Sequence, residues 1–184
     1  MTKTLVIVSH PNLEQSMINR RWVEELQKRP DLFTIHKLYD LYPDYRIDVV
    51  AEQRLVEAYD RIVFQFPVQW FNCPPLLKQW FDDVLTFGWA YGPDGAALRG
   101  KKMGIAVSFG QPAASYSPTG LIGYTVMETL RPFELVMEFI EAKYQPIYAF
   151  HAPNMAQGYD QEALRELEHS AASYSMHLTM YFVN

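Results

Sequence analysis

Short runs of β-branched and other apolar residues alternate along the chain with segments whose apolar positions recur every three or four residues. The runs are Thr4 to Ser9 (TLVIVS), Phe33 to Leu38 (FTIHKL), Arg61 to Phe66 (RIVFQF), Met103 to Phe109 (MGIAVSF) and Pro146 to Phe150 (PIYAF). TLVIVS lacks polar alternation, which marks a strand covered on both faces, as in parallel sheets. Helical periodicity spans Met17 to Gln27, Val49 to Tyr59, Leu76 to Leu85, roughly Tyr124 to Ile140, and Asp160 to Met180. Strand and helix alternate five times without a Ser/Gly-rich linker or a repeat, which predicts one α/β domain over residues 1–184 with a parallel sheet.

A five-stranded parallel sheet of this kind predicts the doubly wound order 2-1-3-4-5 of flavodoxin-like folds, a three-layer sandwich with helices on both faces. Ligands bind such sheets beyond the carboxyl ends of the strands, at the switch point, so the loops after strands 1, 3 and 4 should converge. Those loops read SHPNLEQSMIN, FPVQWFNCPP and FGQPAASYSPTG.

Composition narrows the partners. A hydrophobic content of 49 % in 184 residues is enough for one complete core, and an aromatic content of 15 % leaves rings available for flat ligands or subunit contacts. A formal charge of -5, a pI near 5.5 and the lack of any basic run exclude the electrostatic footprint of a nucleic-acid binder. The apolar run after Lys3 is too short for a signal peptide and is followed by His-Pro, and no run reaches the roughly 18 residues of a spanning helix. A single Cys permits no intrachain disulfide, and together these features fit a cytoplasmic protein.

The first loop carries His10, Ser16 and Asn19, with Ser16 placed as a helix N-cap. A helix N-terminus offers free amides and a positive dipole end to a phosphate, and a capped helix with a solvent-facing His fits the same residues. There is no G-x-G-x-x-G, which disfavours a dinucleotide site of the Rossmann type. GAALRGKK (Gly95 to Lys102) imitates a P-loop, but it ends in Lys102 where Ser or Thr is required and leads into a strand. In the second loop, Pro67 and Pro74-Pro75 fix the backbone, while Trp70 and Phe71 either cover a planar heterocycle or plug the sheet edge. In the third loop, Gly110 allows close backbone approach and Tyr116 offers a hydroxyl; G-x-S-x-G is absent, which disfavours a serine hydrolase. Cys73 reads as a packed side chain, Asp82 and Asp83 as a solvated helix edge, and His36, His169 and His177 give no metal-site spacing.

Together the segments SHPNLEQSMIN, LYDLYPDYRIDVVAEQ, QFPVQWFNCPPLLKQWFDDVLTFGWAYGPDGAALRGKK and AVSFGQPAASYSPTG resemble the flavodoxin-like NAD(P)H:quinone oxidoreductase family, most of all its small bacterial branch, which includes ancillary proteins of potassium efflux systems. The resemblance implies a homodimer with FMN, in preference to FAD, at two shared sites, and NAD(P)H as co-substrate. It implies ping-pong hydride transfer through flavin N5 to a quinone or similar flat electrophile. By position it sets His10, Ser16, Met17, Ile18 and Asn19 around the FMN phosphate and ribityl chain, and Val68, Gln69, Trp70 and Phe71 along the isoalloxazine. Ser108, Phe109, Gly110 and Gln111 fall at the pyrimidine side, with Gly110, Gln111 and Tyr116 as the catalytic donors. Trp70 and Phe71 shape the substrate pocket, and Tyr91 of GWAYG closes it from the partner subunit. Two departures stand out: Ser108-Phe109-Gly110-Gln111 replaces the family's Thr-Thr-Gly-Gly, and Ile122 occupies a position where the mammalian enzymes carry a His. The same resemblance implies, as the alternative, a regulatory subunit docked on a potassium efflux antiporter, peripheral at the inner membrane.

Overall fold

The computed structural model describes residues 3–152 and 159–183. Its sheet contains β1 (Thr4–Val8), β2 (Phe33–Lys37), β3 (Arg61–Pro67), β4 (Lys102–Phe109), β5 (Lys143–Tyr144) and β6 (Tyr148–His151). The order is β2-β1-β3-β4-β5, with β6 also on β4, and every pairing is parallel. The helices are α1 (Met17–Gln27), α2 (Leu38–Leu41), α3 (Val49–Glu57), α4 (Pro75–Val84), α5 (Val126–Thr129), α6 (Arg131–Phe139) and α7 (Gln161–Leu178).

The unbroken apolar run of β1 has a direct structural meaning, because successive side chains serve two different cores. Leu5 and Ile7 pack with residues of α3, α4 and α6 on one face, while Val6 and Val8 pack with α1 and α7 on the other. The three-layer, doubly wound flavodoxin-like arrangement expected from the sequence is present. No helix among the described residues is long and apolar enough to cross a membrane.

Several boundaries differ from the periodicity, three of them with a clear physical cause. The second strand stops at Lys37, and Leu38 turns into the single turn of α2. The fifth strand is two pieces: from Met103↔Tyr144 to Ala106↔Tyr148, β4 advances three residues and its neighbour four. That extra residue is a bulge around Pro146, which has no N–H for the ladder. Gly104 faces it, and a Cβ there would lie 2.9 Å from Phe182, so the missing side chain admits the chain end. The helix expected over Tyr124 to Ile140 breaks at Leu130, because Pro132 cannot donate to the preceding turn and instead sits in the first turn of α6.

The P-loop look-alike has a structural role, since Lys101 Nζ donates to the carbonyls of Glu57 and Tyr59 at 3.0 and 2.7 Å. Elsewhere a carboxylate is fully buried between the layers: Glu52 on α3 is 1 % exposed. It meets Nε2 of His36 on β2, the hydroxyl of Tyr42 and the indole N–H of Trp80 on α4 at 2.8, 2.7 and 2.7 Å.

Candidate functional site

The carboxyl ends of β1, β3 and β4 deliver the three unusual loops to one place. Ser16 is the N-cap of α1, its Oγ accepting from the Asn19 amide at 3.1 Å. The first amides of α1 therefore face a cavity of about 460 Å³ bordered by Ser16, Met17, Ile18 and Asn19, a volume within the range of small-ligand sites. His10, Val68, Ser108, Phe109 and Gly110 also line it, so nine of the residues expected at a cofactor site share one cavity.

Two of those nine do more than line it. Asn19 is 1 % exposed; its Nδ2 donates to Ser108 Oγ at 2.9 Å, and Gln65 Nε2 donates to its carbonyl at 3.0 Å. This network ties the start of α1 to β3 and β4 and fixes the cavity floor. His10 has its pKa lowered by burial, so it is neutral near pH 7. Its Nδ1 accepts from the Asn12 amide at 3.1 Å, which leaves the hydrogen on Nε2. Helix amides, the His10 Nε2–H and the nearby Asn12 and Gln15 amides form a donor set with no carboxylate in the lining, which fits a phosphate with a polyhydroxyl chain.

The second loop is where the sequence left two options, and for Trp70 the geometry removes the plug. Gln69 and Asn72 exchange backbone hydrogen bonds of 2.8 and 2.9 Å, so Trp70 and Phe71 are the two central residues of a tight turn. Both have positive φ, 47° and 61°, and Trp70 is 94 % exposed. Trp70 plugs nothing. A turn with two positive φ values favours Asn-Gly, so two bulky aromatics here store strain of roughly 1–3 kcal/mol each. Cys73, next in the chain, is packed as expected: it is 7 % exposed, and burial pushes its thiol up to about 11.

Phe71 borders a separate cavity of about 410 Å³ with Ile122, Tyr124, Glu128 and Thr129. Tyr116 leans on Phe109 with ring centroids 4.7 Å apart, and burial raises the pKa of its hydroxyl, which stays protonated at neutral pH. Tyr91 is not beside these residues within the chain. It packs between Phe87 and Phe139 and lines a groove of about 520 Å³ between α4 and α6. Gln69, Trp70, Gln111 and Tyr116 do not line the 460 Å³ cavity; they belong to the loops around it.

Sequence reasoning missed Asn12, Gln15, Pro67, Ala152 and Tyr159, which line the same cavity. Asn12, Gln15 and Pro67 lay inside loops already singled out, whereas Ala152 and Tyr159 follow β6 and carried no signal. His151 was also missed, and it stacks on Phe109.

Comparison with known proteins agrees with the fold. Residues 2–174 match the family described by its flavodoxin-like fold. A crystal structure of general stress protein 14 from Treponema denticola in complex with FMN superposes with a TM-score of 0.91 at 48 % identity, covering 97 % of this chain and 98 % of that one. An NADPH-quinone reductase structure from P. pentosaceus gives a TM-score of 0.78 at 31 % identity, covering 94 % and 97 %. The uncharacterized NAD(P)H oxidoreductase YdeQ of Bacillus subtilis (strain 168) is 44 % identical over 182 residues, 99 % of this chain and 89 % of that protein. The glutathione-regulated potassium-efflux system ancillary protein KefG of Cronobacter sakazakii is 42 % identical over 133 residues, 72 % of each chain. A parallel sheet in the order 2-1-3-4-5, a cavity at its switch point and these relatives lead to one assignment: the chain belongs to the flavodoxin-like fold family, in the group that holds NAD(P)H oxidoreductases and potassium-efflux ancillary proteins.

Proposed function

We propose that the protein binds FMN in the 460 Å³ cavity and passes a hydride from NAD(P)H to a quinone or similar flat electrophile. The observation that carries this reading is a helix N-terminus opening on that cavity beside a strained turn that holds two aromatic rings outward. When bound, FMN would supply the redox chemistry, a ping-pong hydride transfer through its N5.

The protein's own part is binding, orientation and electrostatics. The amides of Met17 and Ile18, with Ser16 and the His10 Nε2–H, hold the phosphate and the ribityl chain. Asn19 supports them through Ser108 and Gln65. Val68, Gln69 and the rigid backbone around them border the ring system, and Trp70 and Phe71 form the face on which nicotinamide and acceptor stack in turn. Backbone N–H groups of Gly110 and Gln111, with the protonated Tyr116 hydroxyl, are donors for negative charge at the pyrimidine edge.

A second copy completes the site. Leu135 and Phe139 on α6 and Phe87 near Tyr91 are 55 %, 69 % and 69 % exposed, an apolar face larger than scattered surface residues require. A homodimer burying this face would carry Tyr91 toward the partner's pocket. Phe139→Glu is expected to convert a dimer into a monomer by light scattering and to depress turnover; an unchanged mass would remove α6 from the interface.

The primary test is reconstitution. Purified protein mixed with FMN is expected to retain flavin absorbance through gel filtration and to oxidise NADH or NADPH against a quinone panel. Trp70→Ala is expected to lower turnover about tenfold or more, as loss of a stacking and orienting surface does. A colourless protein that leaves both nicotinamides unoxidised after FMN is added would sink the proposal. The KefG relative supports a second reading, a regulatory subunit of a potassium efflux antiporter. Co-purification with such a transporter, alongside slow quinone turnover, would favour it.

A further inference from the structure

The proposed activity leaves His151 without a role, although its ring is held by three contacts. Parallel pairing sets Phe109 opposite His151, so both side chains leave the sheet on one face. The rings lie parallel, 4.6 Å apart and 8° from coplanar orientation, and Tyr116 closes on both at 4.7 and 5.3 Å. Nδ1 of His151 lies 3.0 Å from the Gln111 carbonyl oxygen. A carbonyl can only accept, so Nδ1 carries the hydrogen. In the neutral ring Nε2 is then the basic nitrogen, the opposite tautomer to that of His10.

The position is firm because β6 is firm. Its first residue, Tyr148, donates from its hydroxyl to the Ser170 carbonyl at 2.6 Å and stacks on Tyr174 at 5.0 Å. Beyond His151, the Ala152 amide donates to the Phe109 carbonyl at 2.9 Å. The loop after β4 is less firmly held. Among the described residues, the backbone bonds of Ser115, Tyr116, Gly120 and Ile122 all close within it, onto Pro112, Ala113, Ser117 and Ser115. The His151 to Gln111 bond therefore ties this loop to the sheet one residue beyond Gly110, where the loop leaves the cavity.

We propose that His151 is the positioning residue of the loop after β4: its Nδ1–H fixes the Gly110-Gln111 backbone, its ring fixes Tyr116 through Phe109, and both set the donors that face the flavin's pyrimidine edge. The inference rests on the FMN reading for its consequence, and not for its geometry. Two substitutions separate the contacts. His151→Phe keeps the stacked ring and removes the donor; His151→Asn keeps a donor near Nδ1 and removes the ring.

Nitrogen-15 NMR of the flavin-free protein is expected to show the Nδ1–H tautomer for His151. Fluorescence titration with FMN is expected to give a dissociation constant about tenfold weaker for His151→Phe and about threefold weaker for His151→Asn. The midpoint potential of bound flavin should fall in His151→Phe and stay near wild type in His151→Asn, a readout that a merely stabilising residue would not move. An Nε2–H tautomer, or both variants matching wild type in affinity and potential, or both losing equally, would overturn the inference. Wild-type protein that binds no FMN would sink the proposed function instead, while the tautomer still decides the bond.

Discussion

Replacing Glu52 with leucine is expected to destabilise the fold by about 3–5 kcal/mol, the usual consequence of removing one partner from a buried charged network. The carboxylate accepts from Tyr42 and Trp80 and pairs with His36, at 2.7, 2.7 and 2.8 Å, and a leucine side chain would satisfy none of the three. Each stranded donor in a closed layer costs about 1–3 kcal/mol, so three of them reach the network figure at the lower end of that range, without help from packing. Glu52→Gln should cost less, since its amide oxygen still accepts while its NH₂ opposes one of the donors. Urea unfolding of the three proteins measures this, and a leucine variant within about 1 kcal/mol of wild type would show that the network is energetically neutral. Acid should expose the same group. Burial raises the Glu52 pKa, but the His36, Trp80 and Tyr42 contacts outweigh it and leave the carboxyl below its usual 4.5. A lowered folded-state pKa contributes stability above the unfolded value, and that contribution is lost as the pH falls through the folded value. The wild type should therefore lose stability more steeply than Glu52→Gln as the pH drops below about 4.5.

This network had no sequence signal, because Glu52 sits in a helix whose other acids face water and its partners come from β2, the turn after α2, and α4. Legibility followed the range of the interactions. The buried runs of β1, β3 and β4 and the loops after them were readable, because burial on both faces and proline punctuation are local properties of the chain. The α5–α6 break was equally local, carried by Pro132, yet the apolar period ran across it and concealed it. The bulge between β5 and β6 is marked locally by Pro146, but the packing over it is not, since the space above Gly104 is taken by Phe182, far along the chain. His151 was invisible for the same reason: what gives it meaning is Phe109 and Gln111 on another strand and its loop. The converging loops pointed to the candidate cavity from sequence, while the groups arriving from β6 and beyond required the fold.

The Trp70-Phe71 turn offers the sharpest separation of stability from function. Exchanging the pair for an Asn-Gly dipeptide, by Trp70→Asn with Phe71→Gly, is expected to stabilise the protein by about 1–3 kcal/mol. The two residues hold φ values of 47° and 61°, where a side chain crowds the following carbonyl; of the roughly 1–3 kcal/mol that each stores, Phe71→Gly relieves its share and Trp70→Asn only a part. Little packing opposes the gain, since Trp70 is 94 % and Phe71 48 % exposed. The Gln69 and Asn72 backbone bonds that close the turn require neither aromatic ring. Under the proposed function turnover should move the opposite way and fall by about 100-fold, since that proposal gives the pair the task of aligning substrate with flavin. Thermal unfolding and quinone-dependent NAD(P)H oxidation, measured on the same preparation, decide both halves. A less stable variant would mean that the turn is relaxed and the aromatics are packed in a way their exposure does not reveal. A more stable variant with undiminished turnover would leave the strain real but unconnected to catalysis. Opposite signs are what a turn kept strained for a substrate must produce, since the fold itself gains little from a tryptophan that is 94 % exposed.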